Sequence, residues 1–248
     1  MYAFELDSYV AGHRFSNESD TFYDSNTQSF KDLAGFGALG QDLKNRVGSQ
    51  VFETVGTDNR KGLVFDGTNH LEMNNPVCWG GSVIMAFTFD FIGSGTTGVY
   101  INLDGETASA TSNSSLNLSH FSGSHKVKWH TSSSLPNTEL VVSTNTSGLV
   151  VVAGSINQLT RTGKLTQDGV LVDESPVIAE SDSTGLFLSP ARGDRTVLGM
   201  LSGVQGDVAL NPDYKLVMLE QHYFKDDIIL NQLDKTKSLI EHLSKYYE

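Results

Sequence analysis

Glu5-Leu6-Asp7-Ser8-Tyr9-Val10 places two carboxylates on alternate positions of an extended segment. A glycosidase uses such a pair as nucleophile and as acid to the leaving oxygen. The spacing for that chemistry is Glu-x-Asp-x-x-Glu, and Val10 stands where the second glutamate belongs. Tyr223-Phe224-Lys225 offers groups that could move a proton in eliminative cleavage of a uronate. That reaction also needs cations beside the uronate carboxylate. No Arg-rich strand accompanies the triplet, and Arg192 and Arg195 could reach it only through the fold. His120, His125 and His130 are close enough in sequence to suggest metal ligation. With a turn over Phe121 to His125, however, His120 and His130 fall on separate arms, and Lys126 and Lys128 repel a cation. Surface histidines are the reading preferred. No Gly-x-Ser-x-Gly elbow, P-loop or dinucleotide fingerprint occurs. The expectation is a protein with no catalytic residues and no resident cofactor. Calcium is kept open, with Asp66 and Asn69 as its candidate oxygen ligands. Asp104, Asp182 and Asp194 are further loop acids, and turn formation explains each equally well.

Sugar recognition sets an aromatic ring against a pyranose face, with hydrogen-bonding side chains around it. Trp79, Tyr100, Phe121 and His130 lie near predicted loops and are the carbohydrate-binding candidates. Trp129 alternates in phase with Val127 and is assigned to the core. The Asn-x-Ser/Thr triplets at Asn17, Asn113, Asn117 and Asn145 are read as chance in a Ser- and Asn-rich chain.

The elements that must position these residues read as strands. Short β-branched and aromatic runs lie between Gly, Asn, Asp and Ser clusters: 62–65, 82–92, 98–103, 126–130, 139–143, 148–154 and 215–219. Val83 to Phe91 is almost continuously apolar, as a strand covered on both sides should be. The tail changes period. From Asp227 to Tyr247, apolar residues at Ile229, Leu233, Ile240, Leu243 and Tyr247, with Thr236 in the remaining place, form a helical stripe. Asp226 or Asp227 could cap it, or it could break near Asp234 into two short helices. The stripe is expected to bury on the sandwich or on a neighbouring subunit, Leu233 included. Residues 1–27 are expected to form an N-terminal segment, a docking extension or a sheet edge. Residues 28–248 form one domain with its helix at 227–247.

The chain has 248 residues and a formal charge of −12 from 29 acidic and 17 basic side chains. That balance argues against nucleic-acid or anionic-membrane partners, which call for basic clusters. The one cysteine, Cys78, excludes an internal disulfide. Met1-Tyr2-Ala3-Phe4-Glu5 has neither a basic nor an apolar leader region, so the expectation is cytoplasmic synthesis without a signal peptide.

Four segments, in order, resemble one family. Phe30-Lys31-Asp32-Leu33-Ala34-Gly35-Phe36-Gly37 is similar to the opening of laminin-G-like domains, with Phe30 for the usual Trp. Gly62 to Leu71 resembles the strand-turn-strand of that family, with Asp66-Gly67-Thr68-Asn69 as a hairpin turn. Lys164 to Leu171 resembles its Asp-Gly hairpin, and Leu216 to Tyr247 its last strand and helical tail. The resemblance, which covers about residue 28 onward, implies an all-β antiparallel two-sheet jelly-roll sandwich (concanavalin A-like/laminin-G-like) with a C-terminal helix. It further implies a non-enzymatic, lectin-like binding module on a phage virion or extracellular surface. Its partners would be glycans or other virion or surface proteins, with a homo-oligomer left open. A purely structural virion or appendage protein is the alternative, and a polysaccharide hydrolase or lyase the remaining one.

Overall fold

The computed structural model describes residues 9–33, 42–65, 69–73, 82–91, 97–102, 115–121, 124–130, 138–142, 148–157, 162–174, 196–198, 200–201, 208–209, 214–224 and 228–248. Two antiparallel sheets form a sandwich. The first contains β1 (Tyr9–Arg14), β5 (Phe52–Val55), β6 (Arg60–Phe65), β8 (Ser82–Phe91), β13 (Gly148–Asn157), β14 (Thr162–Gln167), β15 (Val170–Glu174) and β19 (Tyr214–Phe224). Its order is β15-β14-β13-β8-β19-β6-β5, with β1 also on β19. The second contains β2 (Tyr23–Asp24), β3 (Ser29–Phe30), β4 (Leu43–Val47), β7 (His70–Met73), β9 (Thr97–Asn102), β10 (Ser115–Phe121), β11 (Ser124–His130), β12 (Thr138–Val142) and β16 (Thr196–Leu198). Its order is β12-β11-β10-β9-β16-β7-β4-β3-β2. β17 (Met200–Leu201) and β18 (Val208–Ala209) form a separate two-stranded sheet, with β17 close to β9.

Why the central strands are uninterrupted apolar runs follows from what covers them. Val83 to Phe87 on β8 and Val150 to Ala153 on β13 are buried at consecutive positions, hence on both faces. One face meets the sandwich interior. The other meets the C-terminal α1 (Ile228–Asn231) and α2 (Leu233–Tyr247), whose Ile228, Ile229, Leu239, Ile240, Leu243 and Tyr247 join Ile84, Ala86, Val151, Val217, Leu219 and Phe224 in one apolar core. The chain breaks at Gln232, and Leu233 is 41% exposed, so it does not bury on the sandwich of its own chain as the stripe alone would have it. Period alone puts Leu233 on the stripe. The separate turn of α1 fills that place instead, held by Thr236 Oγ1, which lies 2.9 Å from the Ile228 carbonyl.

Two turns expected from sequence part company. Asp168 and Gly169 both have positive φ, 49° and 81°, between paired Gln167 and Val170. That is the left-handed two-residue turn a β-hairpin favours. Asp168 also hooks onto β13: its Oδ1 accepts from Val151 N at 3.0 Å. Asp66 to Asn69, by contrast, closes no hairpin, because β6 pairs β5 and β19 in the first sheet while β7 pairs β4 and β16 in the second. The connection crosses the sandwich. Asn69 is buried at the crossing and its Nδ2 donates to the Val64 carbonyl at 2.9 Å.

Residues 9–27 are part of both sheets. Strand β1 pairs β19, and Tyr23–Asp24 pairs Ser29–Phe30. The segment that resembles the laminin-G opening ties β1 down: Asp32 Oδ1 accepts from Gly12 N at 3.0 Å, and Leu33 N donates to Gly12 O at 2.7 Å. Phe30 is buried against Phe15 and Tyr23, each with its ring centroid 5.1 Å away.

Register fixes the two faces of the second sheet, since directly paired residues of an antiparallel ladder share a face. Leu71 is buried, and the row Leu71-Leu198-Ile101-Leu118-Val127-Leu140 follows it pair by pair on the inner face. Lys44 is exposed, and the row Lys44-Glu72-Val197-Asn102-Asn117-Lys128-Glu139 follows it on the outer face. The inner row is wholly apolar; the outer row is charged or amide at all but one position.

Candidate functional site

Polar chemistry is concentrated where β1, β19 and α2 meet. From Leu216 onward, strand β19 reads Leu216-Val217-Met218-Leu219-Glu220-Gln221-His222-Tyr223-Phe224, apolar in that stretch but for three consecutive residues. A bulge between Met218 and Glu220 inserts one residue and resets the alternation. Val217 and Leu219 therefore join Phe224 beneath the helix, and Glu220 reaches Tyr247 of that helix. The bulge also divides the strand's free edge: β6 pairs residues 216–218, and β1 pairs residues 220–224.

Glu220, 4% exposed, receives three donors. Arg14 Nε approaches Oε2 at 2.9 Å, Tyr247 Oη donates to the same oxygen at 2.7 Å, and His222 Nε2 meets Oε1 at 2.8 Å. Burial pushes the carboxyl toward neutrality, but His222 and Arg14 outweigh it and hold its pKa down at about 2. Tyr9 Oη lies 3.2 Å from His222 Nδ1, so both ring nitrogens of His222 have a hydrogen-bond partner. Burial drives the Tyr9 and Tyr247 hydroxyl pKa values upward, helped by nearby carboxylates. Burial alone would lower the Arg14 pKa, yet the Glu220 carboxylate raises it on balance. Gly12 makes the approach feasible: a Cβ there would strike Tyr9 Oη and come within 2.5 Å of His222 Nδ1. Outside the carboxylate, the Arg14 guanidinium stacks between the rings of Phe22 and Tyr246, 4.7 Å from each centroid. Arg60 stacks on Tyr246 at 4.1 Å.

Such an arrangement holds structure together. An ionised carboxylate with both oxygens engaged and no open face has no proton to give and offers no approach to a sugar. It ties β1, β19 and the last turn of α2 to one charge. The sequence signal that could have revealed it is the polar triplet Glu220-Gln221-His222 inside an apolar strand.

The residues singled out from sequence are scattered. Tyr223, the candidate proton carrier, is buried, and its hydroxyl pKa is driven well up by that burial. Glu5, Asp7, Lys225, Arg192, Arg195, Trp79 and Asp66 lie outside the described residues. Tyr100 occupies the irregular position of β9, where the pairing with β10 slips between Leu118 and Ser119. The β10-β11 hairpin is tighter than expected: Phe121 pairs Ser124, so His120 and His125 are direct partners, while His130 pairs Ser115 at the far end. Phe121 and His130 share the outer face of the hairpin but stand about 20 Å apart along it, at ~3.4 Å per residue. Trp129 shares the inner face with Val127. Asn69 donates into the backbone of its own crossing, and Asp66 beside it is outside the described residues. Among the described residues, no group of three or more His, Cys, Asp or Glu side chains could hold a metal ion, and no helix is long and apolar enough to cross a membrane.

No family model and no characterised protein sequence matches the chain. Solved structures do. The binding domain of botulinum neurotoxin serotype D/C matches with a TM-score of 0.62 and 11% identity over 96% of this chain and 52% of that one. The binding domain of serotype DC in complex with rat synaptotagmin II gives 0.59 and 11%, over 96% and 52%. A type C structure, from work in which cell entry is dependent upon interaction with two ganglioside molecules, gives 0.58 and 9%, over 96% and 51%. At these identities the likeness shows the fold, a β-sandwich. The chain spans about half the length of each neighbour. The virion setting implied by the laminin-G-like segments finds no support in these matches.

Proposed function

We propose that this chain is a non-enzymatic recognition module that binds a glycan or a protein receptor at a surface. The observation that carries this reading is the architecture: a jelly-roll sandwich with the fold of about half of several toxin binding domains, one of them in complex with a protein and another tied to gangliosides. In the same direction, the buried charges of the described corner are consumed by Arg14, Glu220, His222 and Tyr247 in holding the fold. Display on a virion or another extracellular surface is part of the proposal and rests on the laminin-G-like segments of the sequence. A second reading, a structural protein that touches only its neighbours, is favoured by one feature. Val170 and Leu171, on the outermost strand of the first sheet, are 65% and 50% exposed.

A glycan array and a cell-surface binding assay with the whole chain separate these readings, run beside reducing-end and unsaturated-product assays. Binding without product release is the expected result. Binding to neither glycans nor cells would leave the structural reading. Product release that Glu5→Gln or Tyr223→Phe abolishes would replace both with an enzyme.

A further inference from the structure

We infer that the outer face of the β10-β11 hairpin is a binding site for an extended acidic polysaccharide, carboxylated or sulfated. This rests on the recognition reading and names its ligand class. The face is defined by register. Lys128 belongs to the outer row that begins at exposed Lys44, and Lys126 and His130 are two residues before and after it on the same strand. The three share one face at a spacing of ~6.8 Å. Asn117 pairs Lys128 directly, and Phe121, whose partner is Ser124, is the diagonal neighbour of Lys126 at ~7–8 Å.

Residue types on this face suit sugar recognition together. Phe121 offers a ring for a pyranose face, Asn117 an amide for hydroxyls, and the lysines positive charge for carboxylate or sulfate. The charge is locally unopposed in sequence. No Asp or Glu occurs between Glu106 and Glu139, in a chain that carries 29 acidic residues. Within the sheet, Glu139 stands opposite Lys128, but the partners of Lys126 are Ser119 and Val141, neither charged. A patch that stretches about 20 Å from Phe121 to His130 fits a chain of sugars rather than a single ring. The apolar inner row means that substitutions on the outer one leave the core composition untouched.

The test measures binding of the whole chain to immobilised heparin, hyaluronan and neutral dextran, with poly-glutamate as a non-saccharide polyanion. Lys126→Glu/Lys128→Glu and the milder Lys126→Gln/Lys128→Gln are compared with Lys44→Glu. Lys44 lies on the same outer face, five strand spacings away, about 24 Å at ~4.8 Å each. Wild type should bind at least one acidic saccharide and not dextran, and more weakly as salt rises. The Glu pair should lose roughly tenfold in affinity, the Gln pair less, and Lys44→Glu nothing, with melting temperatures unchanged. Equal acidic-saccharide binding by all variants overturns the site. Binding to dextran alone overturns the ligand class while leaving the recognition module intact, and poly-glutamate captured as well as the saccharides overturns specificity for a glycan. Failure to bind any saccharide overturns the site; the recognition reading falls with it only if cell-surface binding is also absent.

Discussion

Beneath α2, Glu220 accepts from Arg14, His222 and Tyr247 and is almost wholly buried. On the outer face of β10 and β11, Lys126 pairs Ser119 and Val141, and Asn117 pairs Lys128. The two regions use polar residues to opposite ends. In the first, each charge is removed from water and must be matched, because an unpaired buried ion is costly. In the second, register places Asn117, Lys126 and Lys128 on the same face as exposed Lys44, and a charge at a surface needs no buried partner. The difference teaches where to look for function in this fold: a strongly perturbed carboxylate marks a structural lock, and the unspectacular outer row is where the recognition site is proposed.

The sharpest way to break the contrast is Glu220→Ala. It strands Arg14 and His222 and should destabilise the chain by about 3–5 kcal/mol, read by chemical denaturation. A change near zero would mean that the corner is not a lock. Leu243→Ala comes next. Its buried side chain lies in the core between helix and sheet, and about 2–5 kcal/mol should be lost.

Acid provides an independent probe of the same corner. The Glu220 carboxyl titrates near 2 in the folded chain against an ordinary 4.5. A lowered folded pKa contributes stability that is complete above about pH 4.5 and disappears as pH falls toward 2. Glu220→Gln should flatten the stability profile in that window, and an unchanged profile would locate acid sensitivity elsewhere.

The smallest effects sharpen the other side. Leu233→Asp, which period alone would make severe, should cost no more than about 0.5 kcal/mol, because Leu233 is exposed at the surface. Lys126→Gln/Lys128→Gln should likewise leave the denaturation midpoint within about 0.5 kcal/mol of wild type while altering binding. A large loss of stability from that pair would place the lysines in a structural role.

Much of the architecture is written locally. The unbroken apolar runs of β8 and β13, the Asp168-Gly169 turn and the helical period after Asp227 each follow from side-chain alternation, left-handed turn chemistry or a 3.6-residue stripe. These are properties of neighbours in the chain, so sequence alone determined them, and with them the all-β class and the helix at its end. Tertiary structure decided the rest because it depends on residues far apart. Nothing near Asp66 says whether Phe65 and His70 will pair or part into different sheets. The bulge at Leu219 turns Glu220 toward a helix end 27 residues later, and α1 displaces Leu233 from a stripe it fits by period. The candidate sugar contacts show the same limit: Phe121 and His130 are nearby in sequence, and only the pairing of β10 with β11 sets them at opposite ends of one face. Local sequence sets which way each side chain alternates, but the pairing of distant strands sets what it alternates against.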